Sequence, residues 1–376
     1  MFPIFVEGSY YLIRSRGKIR LKISKSGVNL IDSRKFIKFF EKTFTKRSAL
    51  ENYDIIHLNS HNETTTVLLK LNAPKIFVLH GSPDYMDKTN CRFLEDLFSK
   101  VDAFVVVSAY VANKLHELCG VKPDAVLHHG VDTEIFNPAS YPSNVAKKML
   151  GIPADKKVIL WNARMSPEKR LETLINALPH VVKELKNILL LVKTRTVNKS
   201  YESKILKLVD KLKINKHVAF DTSWSSLIRM PVYYRATDVY VNTSITEAFG
   251  SLTMLEAMAC GTPTIANNAS SNPEALGNGG LLYDNDPHDL AEKLLRVLTD
   301  NKLANLLSYK AYKRVSRELT LYQDFDPRVY TVKIIEWGLK KPADISSLNI
   351  NAQSLLKLSA GDGDVIFNAR SLVVIW

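Results

Sequence analysis

The stretch TEAFGSLTMLEAMACGTPTI, residues 246–265, carries two glutamates, Glu247 and Glu256, with an apolar, glycine-punctuated run between them. Glu247 closes a polar loop after the strand-like DVYVN, and the LEAMA run that follows reads as a helix stopped by Gly261 and Pro263. One carboxylate then sits at a strand tip and the other in the first turns of a helix. The free amides of a helix N-terminus favour phosphate, and an ionised carboxylate accepts two strong hydrogen bonds from a sugar diol. A structural alternative exists: Thr253 and Glu256 fit a capping box and would make Glu256 a helix-starting residue only.

A second constellation supplies the opposite charge. In WNARMSPEKRLETLINAL, residues 161–178, Arg164 ends a strand, Ser166 and Pro167 mark the start of a helix, and Lys169 falls in its expected first turn. A cation there is disfavoured by the helix dipole unless an anion is present. Two cations at one strand end suit a diphosphate; two solvated surface charges are the plainer reading. Asp284 with Asp286, and Asp362 with Asp364, are better read as a helix cap and a turn than as metal ligands, so no metal site is expected.

The elements that must place these groups read as short apolar strands alternating with helices, the pattern of parallel α/β layers. It occurs twice, at 3–8, 54–59, 75–81, 103–108 and 125–130, and again at 157–163, 188–194, 217–221, 238–244 and 262–268. Unbroken β-branched and leucine runs mean strands covered on both faces. Residues 137–157, with three prolines, read as the linker. The expected division is an N-terminal domain at 1–140, a C-terminal domain at 156–325, and a helix with tail at 326–376, where the last fifteen residues suit a hairpin.

Composition fits this plan. With 376 residues, two domains are expected. No apolar run is long enough to span a bilayer and no secretory leader is evident. Cys91, Cys119 and Cys260 lie far apart, which suggests a reducing compartment, no disulfide and a cytoplasmic location. The net charge is +13, and residues 1–50 hold twelve basic against three acidic side chains. That excess attracts anions or is simply solvated. Within it RKFIKFFEKTF, residues 34–44, sets Phe36, Phe40 and Phe44 on one stripe beside Lys35, Lys38 and Lys42. The stripe either packs on its own sheet or lies on anionic lipid, so a peripheral membrane surface is a candidate partner. No recognition motif for nucleic acid appears.

The ordered set GVDTEIFNP, NARMSPEKRLETLINAL, TSITEAFGSLTMLEAMACGTPTIA and NPEALGNGGLLYDNDPHDLAEKL resembles the retaining GT-B glycosyltransferases of family 4, across roughly residues 54–335. The resemblance implies two Rossmann-like domains facing a cleft and a nucleotide-diphosphate sugar donor, such as a UDP- or GDP-hexose, with no cofactor or metal. It implies that Arg164 and Lys169 neutralise the leaving diphosphate, that Glu247 holds the donor sugar and Glu256 the ribose, and that amides around Phe249, Gly250 and Ser251 meet sugar and phosphate. It places His80, after the strand KIFVL, near the reacting sugar; a core histidine is the alternative. Gly8 stands for the reduced glycine loop after the first strand. The chain departs from the pattern in four places: eight residues rather than seven separate the glutamates, Ala163 and Arg170 stand where glycine is usual, and KTRTVNKS replaces a glycine-containing turn. The rival reading from another class is a non-catalytic protein of the same fold that binds a nucleotide or nucleic acid.

Overall fold

The structure, a computed structural model, describes residues 75–320 throughout, together with Leu69 and the strand segments at 5–6, 10–15, 18–23, 28–32, 55–58 and 372–375. The chain divides into two compact units, Met1–Leu127 with Asp324–Trp376, and His128–Gln323. The 34–44 stripe, Gly8 and the expected C-terminal helix lie outside the described residues.

The first unit contains two sheets. Strands β1 (Phe5–Val6), β2 (Tyr10–Ser15), β3 (Lys18–Ile23) and β4 (Val28–Asp32) form an antiparallel meander. Phe5 and Val6, the described part of the 3–8 segment expected in the parallel sheet, pair instead antiparallel with β2. Their pairing is decided by the alternating, hairpin-forming strands that follow them. The parallel sheet uses β5 (Ile55–Leu58), β6 (Lys75–Leu79), β7 (Ala103–Val106) and β8 (Ala125–Val126). Its edge is closed by β15 (Leu372–Ile375), which pairs parallel with β5. Residues from opposite chain ends thus share one sheet, where the sequence suggested a local hairpin.

Helices α1 (Lys88–Phe98) and α2 (Ala109–Cys119) cover this sheet. Asp87 and Asn90 form a reciprocal cap on α1; Ser108 caps α2, and Gly120 ends it at φ 67°. Cys91 in the first turn of α1 and Cys119 at the end of α2 are joined in a disulfide. The expectation of no disulfide is corrected: 28 residues of separation vanish when two helices lie side by side. Of the three cysteines, Cys260 alone is free, and it is buried.

The second unit begins with α3 (Ser143–Met149), a short helix inside the proline-rich linker. Six parallel strands follow: β9 (Lys157–Met165), β10 (Ile188–Thr196), β11 (Val218–Asp221), β12 (Val239–Asn242), β13 (Thr264–Asn267) and β14 (Leu281–Tyr283). Their spatial order is β11-β10-β9-β12-β13-β14. In chain order within the unit this is 3-2-1-4-5-6, the doubly wound arrangement whose direction reverses between β9 and β12. Helices α4 (Leu171–Glu184), α5 (Lys199–Lys211), α6 (Met230–Arg235), α7 (Leu252–Ala259), α8 (Asn272–Leu276), α9 (Pro287–Thr299) and α10 (Asn301–Glu318) complete the unit. On α4, Leu171, Leu174, Ile175, Leu178 and Val181 recur at helical spacing and are fully buried. They pack with Ile159, Trp161, Val192 and Val241 of the sheet and Leu290 and Leu294 of α9. Asp286 caps α9, as the sequence suggested.

Candidate active site

A doubly wound sheet leaves a crevice at the carboxyl ends of the strands where the order reverses, because the helices on either side of that point depart to opposite faces. Here the crevice lies between β9 and β12. The two strand ends are joined by Trp161, whose Nε1 donates to Thr243 Oγ1 at 2.8 Å. The loop after β9 and the loop after β12 then interlock. Thr243 Oγ1 donates to the Lys169 carbonyl at 2.5 Å, and the Ile245 amide to the Glu168 carbonyl at 3.2 Å.

Four charged side chains meet on this frame. Lys169 Nζ lies 2.6 Å from Glu247 Oε1, and the two side chains are only 12% and 11% exposed. Arg164, more than half exposed, lies 3.5 Å from Glu168. Burial pushes the Glu247 carboxyl above its ordinary value, against the pull of Lys169 and Arg164. Burial also acts on Glu168, but the Ser166 hydroxyl, its own backbone amide and the two cations outweigh it and hold that carboxyl below the usual range. The sequence reading placed the two cations here and missed Glu168, which balances the second of them.

The local backbone differs from expectation. Ser166 does not cap a helix; its hydroxyl bonds Glu168, and Pro167–Lys169 form one tight 3-10 turn. The α4 helix starts at Leu171, after Arg170 in the left-handed region at φ 51°. Lys169 is thus aimed from a turn, outside the first turn of α4, and the helix-dipole argument for an anion at Lys169 falls away. Its burial beside Glu247 replaces it.

Glu247 to Ser251 are held by a neighbour that sequence reasoning overlooked, the Ser270–Asn272 segment after β13. Ser270 Oγ accepts from the Glu247 amide at 3.0 Å, Ser271 Oγ accepts from the Gly250 amide at 2.9 Å and donates to the Glu247 carbonyl at 2.8 Å. Asn272 Nδ2 donates to the Ser244 carbonyl. Phe249 is fully buried, its ring stacked on His128 at 4.2 Å, and His128 Nε2 lies 2.9 Å from Glu274. The SSNPE run was the available signal, since small hydroxyls before a proline-started helix commonly bond nearby backbone.

Glu256 is tied to the same crevice from the other side. Tyr234 Oη donates to its Oε2 at 2.5 Å and accepts from Asn162 Nδ2, on β9, at 3.0 Å. Burial raises the Glu256 carboxyl to about 7, with the Tyr234 bond opposing. The capping-box alternative fails. Ser251 caps α7 by accepting from the Met254 amide, and Thr253 Oγ1 donates to the Asn162 carbonyl at 2.9 Å. His80, in the other unit, follows β6 and is partly buried, and burial holds its imidazole below the usual histidine value. Among the described residues no cluster of three or more metal-ligating side chains occurs.

Comparison with known proteins bears on the family and the fold. The model of glycosyl transferases group 1 matches residues 143–314, and that of glycosyltransferase family 4 matches residues 10–135. The chain belongs to the family 4, group 1 glycosyltransferases. It is 30% identical over 236 residues to D-inositol 3-phosphate glycosyltransferase of Saccharomonospora viridis, covering 59% of this chain and 53% of that one. It is 30% identical over 243 residues to probable sucrose-phosphate synthase 1 of Oryza sativa subsp. indica, covering 58% of this chain and 22% of that one. The chain spans about half the length of the first of these and less of the second. In fold it is similar to a glycosyltransferase from Rickettsia africae, with TM-score 0.67, 21% identity and 81% of each chain covered. Anabaena HepE in complex with UDP and glucose gives 0.66, 19% and 80% of each. The fold is therefore GT-B.

Within this glycosyltransferase family the departures noted in the sequence acquire a local meaning. Arg170 occupies the left-handed backbone that a glycine takes up without steric cost. Its Nε is buried without a hydrogen bond, although Glu172 lies 3.8 Å away. Gly250, also left-handed at φ 52°, leaves no room for a side chain: an added Cβ would lie 2.5 Å from Met254 Cε and 2.8 Å from Ala275 Cβ.

Proposed function

We propose that this glycosyltransferase moves a hexose from a nucleotide-diphosphate sugar to a hydroxyl acceptor, with retention at the anomeric carbon and without a metal. The observation that carries the reading is the buried Lys169–Glu247 pair at the switch point, beside the start of α7. A cation this well shielded interacts strongly with any phosphate that enters, because little water screens it. Arg164 and Lys169 stabilise the charge that develops on the leaving diphosphate. Glu247, released from Lys169 by the incoming phosphate, accepts hydrogen bonds from the sugar hydroxyls.

The amides of Phe249 and Ser251 face the same ligand, that of Gly250 being taken up by Ser271 Oγ, and Glu256 holds the ribose diol when ionised. HepE, solved with UDP and glucose, is the relative of this fold that supports such a donor. Peripheral attachment at the inner membrane face, through the basic residues before position 50, belongs to the same proposal.

Donor consumption with a panel of UDP-, GDP- and ADP-sugars, in chelator and with acceptor mixtures, tests it. Turnover with one donor class, anomeric retention by NMR, and at least a hundredfold loss of kcat in Lys169→Ala are expected. Nucleotide binding without turnover of any donor would favour the non-catalytic reading of the same fold.

A further inference from the structure

The outer face of α10 has a composition unlike a solvated helix surface. Leu307, Ala311 and Val315 point inward and are buried. On the opposite stripe stand Lys302, Leu306, Tyr309 and Lys313, flanked by Lys310, Tyr312 and Arg317. Leu306 is 48% exposed and Tyr309 59%. Lys313 Nζ lies over the Tyr309 ring, 5.5 Å from its centroid. Among the described residues no carboxylate balances these cations. The helix has one acid, Glu318, which is committed to Arg314, and Asp300 before it caps the Leu303 amide. Lys302, Lys310, Lys313 and Arg317 form no ion pair among the described residues.

A helix face that serves only solubility carries both signs of charge. One that carries cations alone, with a leucine and tyrosines set between them, matches a surface of anionic lipid: the cations meet headgroup phosphates, the leucine enters the acyl boundary, and tyrosine rings sit at headgroup level. We propose that α10 docks the second unit on an anionic bilayer surface, lying flat on it. No described helix is long and apolar enough to cross a membrane, and the docking needs none. A nucleic acid fits the cations but leaves Leu306 facing a phosphate backbone, so the lipid surface is the occupant this face selects.

Flotation of the whole chain with vesicles of phosphatidylcholine, alone or mixed with phosphatidylglycerol, is the test. The wild type should bind only the mixed vesicles, and less as salt rises. Lys302→Gln, Lys313→Gln and Arg317→Gln together should weaken binding by roughly a hundredfold, at about fivefold for each cation removed. Leu306→Ser with Tyr309→Ser keeps the charge and should still weaken binding by about tenfold, since buried apolar area is lost. Melting curves of both variants should match the wild type, because the changed side chains lie on the exposed face. The proposal is overturned if the wild type binds neither vesicle. It is equally overturned if both variants bind like the wild type, which would assign attachment to the basic residues before position 50. Retained binding in the Leu306→Ser, Tyr309→Ser variant together with full competition by an oligonucleotide would make the face a general polyanion surface and also overturn it.

Discussion

At the scale of single residues, the consequence of burial is that charge and stability are coupled in this site. The sequence suggests that Lys169→Ala would spare folding, as for an open cleft residue. The structure says otherwise, because it leaves Glu247 buried without its cation. Breaking one side of a buried pair costs about 3 kcal/mol or more. We expect a lower melting temperature along with the loss of turnover. Adding Glu247→Gln to that variant should return much of the stability and none of the activity; a melt that stays low in the double variant would show that the pair is not the cause. Glu256 gives a pH signature. In the unfolded chain its carboxyl titrates near 4.3, whereas the folded chain keeps the proton until about 7. Between those values the native state binds the extra proton, so the stability Glu256 contributes is present at low pH and is lost as pH rises through 7. Glu256→Gln should flatten the melting temperature across roughly pH 5 to 8, by an amount on the order of 2–3 kcal/mol. The same variant should weaken binding of nucleotide diphosphate by roughly tenfold or more at alkaline pH, if the ribose contact exists. Unchanged affinity there would remove Glu256 from the donor site.

At the scale of elements, two turns decide where the site groups point. Gly250 starts the approach to α7 in a conformation and a space that admit only glycine. Gly250→Ala combines a left-handed alanine with a contact against the immovable Ala275 Cβ, so a loss of about 2–4 kcal/mol is expected in a denaturant melt. A full-strength melt would mean the loop shifts freely, contrary to its three serine-mediated bonds. Arg170→Gly makes the opposite case. It relieves a left-handed non-glycine residue and removes a buried Nε that lacks a hydrogen bond, at the cost of that atom's 3.8 Å ion pair with Glu172. A gain of up to about 1 kcal/mol is expected, and a clear loss would assign Arg170 a structural bond that outweighs its strain.

At the scale of the whole molecule, the Cys91–Cys119 bridge constrains only the first unit. Closing a loop of 28 residues is worth about 3–4 kcal/mol in the chain-entropy account. Reductant, or Cys91→Ser with Cys119→Ser, should lower the melting of the first unit and leave that of the second in place. Proteolysis or calorimetry that resolves two transitions reads this directly, and a single unmoved transition would count against the bridge in solution.

What the sequence by itself determined was everything carried by local pattern. The strands of the second unit, the cap at Asp286, and the glutamates and cations at strand ends follow from runs of apolar residues, turn residues and ordered motifs, all within a few positions of one another. What only the tertiary structure decided was every relation between distant segments. Lys169 meets Glu247 across 78 residues because β9 and β12 are neighbours at the reversal of the sheet. Ser270 and Ser271 support Glu247 because β13 lies next to β12. Residues 372–375 join a strand at 55–58, and two cysteines read as separate are bonded. Periodicity reports which face of an element is buried and is silent about which element buries it. Strand order and side-chain burial therefore settled the charge balance of the site, and with it the meaning of its lysine.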